Sequence, residues 1–194
     1  MPVEEIRSYL NRLRPYLIAS ILLFGFGFVI GSMVVHRFPQ MVDNFESSLA
    51  GFISVFRGLP KAQLALAIFI NNTLKTFAVI LLGAILGVIP GCFLLLNGAV
   101  LGMVLSLSGQ LRGHWVTLLS LLPHGILELP AVFLGTAIGL MMGASLARKL
   151  FAKSAYKFGA ELRHALKFFC TVIVPLLFVA ALVEAYVTPA LMTH

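Results

Sequence analysis

A chain of 194 residues that is 60% hydrophobic, only 11% charged and +1.01 in mean hydropathy lies far from soluble domains, in which roughly a quarter of residues are charged. The composition predicts an all-α, polytopic membrane bundle forming a single integral membrane domain over residues 1–194, with no soluble domain attached. The net charge of +7 would suit nucleic acid, but its lysines and arginines fall where an excess in cytoplasmic loops would place them, so no nucleic-acid partner is expected.

Crossing about 30 Å of hydrocarbon takes about 20 apolar residues, and five runs meet that requirement: 16–35, 64–86, 92–108, 115–147 and 168–188. The first follows Arg7, Arg12 and Arg14. Its length and the lack of a small-residue cleavage site make it a retained span rather than a signal peptide. Between the first two spans, Met41, Val42, Phe45, Leu49, Phe52, Ile53 and Phe56 recur at helical spacing, which predicts an amphipathic segment over 41–56 outside the membrane.

The second span carries Asn71, Asn72 and Lys75, the third Asn97, and the fourth His124 and Glu128. An intramembrane charge costs at least about 2.5–3.5 kcal/mol, so these six side chains are expected to form a polar cluster, with Lys75 and Glu128 as a buried ion pair. Pairs four residues apart, Asn71 with Lys75 and His124 with Glu128, share a helical face. The fourth run is too long for one straight span, and its PHGILELP string predicts a helix break or kink at Pro123, Gly125 and Pro130, where freed backbone groups need other partners.

Small residues recur at every fourth position in Gly27/Gly31, Gly83/Gly87/Gly91, Gly98/Gly102/Ser106 and Gly135/Gly139/Gly143/Ala147. Lipid offers little hydrophobic force between helices, so such stripes mark close backbone approach. Tight packing within the chain is the first expectation and a homodimer the second.

A second basic segment, Arg148, Lys149, Lys153, Lys157, Arg163 and Lys167, precedes the fifth span. Four crossings between the two basic segments put both on the cytoplasmic side, with the N-terminus inside and the C-terminus outside. Leu146, Leu150, Phe158, Leu162 and Leu166 form an apolar stripe beside Lys149, Lys153 and Lys157, predicting an amphipathic segment over 146–166 on the inner surface, against membrane lipids. Cys92 and Cys170 show no redox or metal spacing. No cofactor and no metal is expected: His124 and Glu128 would supply two ligands from one face, a third is not evident, and His36 and His114 belong to outer connections.

Asn71-Asn72, then Leu96-Asn97-Gly98 with Gly102, then Leu122-Pro123-His124-Gly125 with Glu128-Leu129-Pro130, and the trailing Gly135, Gly139 and Gly143, resemble the stage II sporulation protein M family over roughly residues 68–145. The resemblance implies a multi-pass protein of the cytoplasmic membrane. Its sporulation member implies a scaffold that holds a membrane-anchored partner and a peptidoglycan-degrading enzyme together. The expected function is therefore a non-enzymatic scaffold, acting on the wall only through partners such as a cell-wall hydrolase. Two other classes stay open on the residues: a transporter or channel component built around the broken fourth span, and an intramembrane metal-dependent enzyme using His124 and Glu128.

Overall fold

The computed structural model describes residues 1–38, 45, 47, 51, 58–83, 85, 87–152 and 157–187, with side chains described for all of these except 111, 112, 114–124 and 152. The predicted outer helix over 41–56 lies outside the described residues, apart from isolated positions 45, 47 and 51. Five helices are long and apolar enough to cross a membrane: α1 (Val3–Arg37), α2 (Lys61–Leu82), α3 (Val88–Arg112), α4 (His114–Ala152) and α5 (Phe158–Tyr186). No strand occurs among the described residues.

Two of the turns depend on glycine. Gly87 enters α3 with φ of +75°, and Gly113 alone links α3 to α4 with φ of +88°. Side chains with a Cβ rarely take up that left-handed region.

Half of the apolar window of α4 is buried, against 22% in α1, α2 and α3, so α4 is the central helix. Its neighbours are α1, α2, α3 and α5. Ala131, Thr136, Ala137, Ile138, Met141 and Met142 form the middle of the core. The small side chains among them, Ala131, Thr136 and Ala137, let other backbones come close, which is the main source of packing energy where the surroundings are as apolar as the interior.

The glycine stripes are the contact seams. A Cβ on Gly27 would strike the carbonyl oxygen of Leu95, and one on Gly31 that of Ala99. Reciprocally, Gly98 and Gly102 on α3 lie against the carbonyls of Phe24 and Phe28 on α1. Gly83 meets Gly139, and Gly135 meets Thr76, where α2 crosses α4. Gly143 is buried, whereas Gly91 has only Leu23 at its edge and Gly87 serves the turn. Close packing within the chain therefore accounts for most of the stripes.

Three expectations are corrected. Helix α4 runs unbroken from His114 to Ala152, so Pro123, Gly125 and Pro130 do not end it. Each proline removes one N–H donor, and the remaining backbone bonds hold the helix where no water competes for them. The predicted inner amphipathic segment is not one helix either. Residues 146–152 close α4, while Phe158–Phe168 opens the last helix and continues into its membrane span. The first and last spans are also longer than their apolar runs, starting at Val3 and Phe158 instead of 16 and 168. Within α5, Phe169–Ile173 widens into a π-helical turn. The cause is Pro175, whose ring would press on the carbonyl four residues earlier in a regular helix.

Candidate functional site: a polar cleft between three helices

The tightest three-helix contact lies where α2, α3 and α4 meet. A Cβ placed on Gly139 would stand 2.8 Å from both the carbonyl oxygen of Val79 and Cγ of Pro90. Positions seven or eleven residues apart return to nearly the same helical face, and positions four apart to an adjacent one. Counting from this junction toward the outer side, Lys75 and Asn72 follow from Val79 at four and seven residues, Asn97 from Pro90 at seven, and Glu128 from Gly139 at eleven. At about 1.5 Å per residue, Lys75 lies ~6 Å above the junction, Asn72 and Asn97 both ~10 Å, and Glu128 ~16 Å.

The polar positions of three helices therefore stand on converging faces at neighbouring levels. Yet Lys75 and Asn97 are exposed, and Asn71, Asn72 and Glu128 are half-buried. Helix α2 packs chiefly on α4 and α5, and α3 on α1 and α4, with little direct contact between α2 and α3. Above the junction the scarcity of contact between α2 and α3 leaves a cleft between them beside the described part of α4, from Gly125 inward.

Two side-chain bonds of the cluster are seen among the described residues. Asn71 Nδ2 donates to Asn72 Oδ1 at 3.2 Å, and Asn97 Nδ2 donates back to the Phe93 carbonyl at 2.7 Å. Among the described residues no ion pair joins Lys75 to Glu128. Residue counts from the span ends placed the two at similar depths, but counted from the junction Glu128 lies ~10 Å farther outward than Lys75, and Lys75 is exposed. The helix backbone carries His124 one turn outward of Glu128. Among the described residues no three His, Cys, Asp or Glu side chains group as metal ligands. Cys92 and Cys170 are exposed free thiols.

A second polar cluster was not anticipated. Arg12 of α1 pairs with Glu161 of α5, and Lys167 Nζ reaches Glu5 at 3.0 Å with His164 3.9 Å from the same carboxylate. The guanidinium of Arg148, at the end of α4, donates to the Tyr16 hydroxyl at 2.7 Å. Both basic segments thus occupy one end of the bundle, as the odd number of spans requires, and it is the end at which the excess of cations in cytoplasmic loops is expected. The signal for this cluster was Glu161, the one acid in a segment with six cations.

An uncharacterized protein of Methanocaldococcus jannaschii is 26% identical over 182 residues, covering 92% of this chain and 96% of its own length. No solved structure matches the chain significantly. The family model described as stage II sporulation protein M matches residues 20–189, a stretch that takes in every one of the cleft residues, so the chain belongs to the stage II sporulation protein M family.

Proposed function

We propose that this protein is a non-enzymatic scaffold of the cytoplasmic membrane, which assembles partner proteins against the cleft between α2, α3 and α4. The observation that carries the reading is Lys75. It is exposed, lies seven residues from the inner end of α2 and fourteen from the outer end, and so sits ~10 Å and ~21 Å from them. Its Cα–Cβ bond tilts toward the helix N-terminus, the farther end, which works against escape to the nearer interface. Facing lipid, the ammonium would cost at least about 2.5–3.5 kcal/mol. A polar or acidic group from another polypeptide removes that cost, and Asn97, Asn72 and Glu128 give the same partner further polar contacts.

The partner class proposed is a membrane-anchored protein, or a cell-wall hydrolase held through one, in keeping with the family resemblance. Crosslinking in native membranes followed by mass spectrometry tests the reading. Recovery of such a partner, lost in Lys75→Leu, is the expected result. A lone or merely self-crosslinked chain contradicts it, as does unchanged assembly in Glu128→Gln accompanied by a lost solute or ion flux, which would assign the cleft to transport.

A further inference from the structure

Further round α2 from the cleft, the outer half of that helix and the last turns of α5 leave an apolar groove of about 310 Å³, lined by Ala62, Ala65, Leu66, Phe69, Phe178 and Leu182. That volume reaches the lower end of the ~300–1,000 Å³ typical of small-ligand sites. Three features give it shape. Ala62 and Ala65 remove bulk from the α2 wall, Phe69 and Phe178 close the floor with rings edge to face at 5.5 Å, and Leu66, Phe178 and Leu182 leave the side open to the membrane. From Ala62 to Phe69 the groove descends seven residues, ~10 Å, within the ~15 Å depth of one leaflet.

The mouth is charged. Lys61 opens α2 directly above the groove, with Nζ 5.8 Å from the ring centre of Tyr186 at the end of α5. This is the outer end of the bundle, where lysine and arginine are depleted by comparison with the inner end. A cation above an apolar slot one leaflet deep matches one kind of ligand. We propose that the groove binds an anionic phospholipid of the outer leaflet, its phosphate on the Lys61 ammonium and one acyl chain against Ala62, Ala65 and Phe178. The fit rests on charge complementarity as well as shape, since bulk lipid of either charge would wet an apolar groove equally.

Native mass spectrometry of the full chain in mild detergent tests this, with phosphatidylglycerol and phosphatidylcholine of identical chains added in turn. The wild type is expected to retain phosphatidylglycerol about fivefold better, the worth of roughly one lysine at an anionic lipid surface. Lys61→Gln abolishes the preference, Lys61→Arg keeps it, and Ala62→Phe lowers retention of both lipids by filling the slot. Leu66→Trp serves the same purpose should Ala62→Phe fail to elute as a folded species. Equal retention of the two lipids by the wild type, meaning annular lipid only, overturns the proposal. So does a headgroup preference that survives Lys61→Gln, undiminished retention in the filled variant, or a co-purifying polypeptide in place of lipid.

Discussion

The guanidinium of Arg12 donates to the carboxylate of Glu161 across 149 positions of sequence, tying the first helix to the last at the basic end of the bundle. The two partners are unequally placed: the Arg12 side chain is 50% exposed and that of Glu161 only 11%, with Oε1 buried and without a hydrogen-bond partner. Removing the arginine strands a buried carboxylate, whereas removing the acid leaves a cation that water can reach. Arg12→Met is therefore expected to destabilise by about 1–3 kcal/mol, between the values for surface and buried pairs, and Glu161→Gln by less. Thermal unfolding of the detergent-purified variants checks the order, and a larger loss for Glu161→Gln would contradict it.

The seam between α1 and α3 makes a sharper prediction, because the atoms facing its glycines are backbone carbonyls that cannot rotate away. Gly31→Ala and Gly98→Ala would press a methyl onto the carbonyls of Ala99 and Phe24. Each is expected to cost about 1–3 kcal/mol, as overpacking does. Gly25 lies on the same helix with nothing near its absent Cβ, and Gly25→Ala should stay within about 0.5 kcal/mol of wild type or improve on it through helix propensity. Unfolding midpoints of the three variants decide the point. Equal losses at all three positions would show that α1 and α3 do not meet along this seam.

Thr76 offers a change expected to do no harm. Its side chain is buried where α2 meets Gly135 of α4, and its hydroxyl has no hydrogen-bond partner. Thr76→Val keeps the shape and removes an unsatisfied polar atom, so a gain of up to about 1 kcal/mol is expected. A clear loss of stability on the same assay would mean that the hydroxyl has a partner after all.

What the sequence made legible follows the strength of each physical constraint. The five spans could be read because lipid excludes charge over a fixed thickness, and the seams because Gly27, Gly31, Gly98, Gly102, Gly83 and Gly139 sit at spacings that only close packing requires. The true starts of α1 and α5 could not, since both helices open on charged segments that the apolar runs leave out, and those segments pair with each other through Glu5, Arg12, Glu161 and Lys167. Pro123 and Pro130 suggested a break because their cost is local, while the support that keeps α4 continuous comes from the whole helix and its packing. For the cleft, residue counts from the span ends put Lys75 and Glu128 at the same depth. They could not register one helix against the next, and the register of α2 on α4 at Val79 and Gly139 sets Glu128 ~10 Å farther outward than Lys75, away from the partner expected for it.

The central claim is that another protein covers the cleft at Lys75 and Asn97. A photo-reactive amino acid at Val100, exposed and one turn beyond Asn97 on α3, tests it most directly when activated in native membranes. The account predicts a discrete protein adduct that disappears in Lys75→Leu. Adducts with lipid alone, or a protein adduct indifferent to Lys75→Leu, would contradict it.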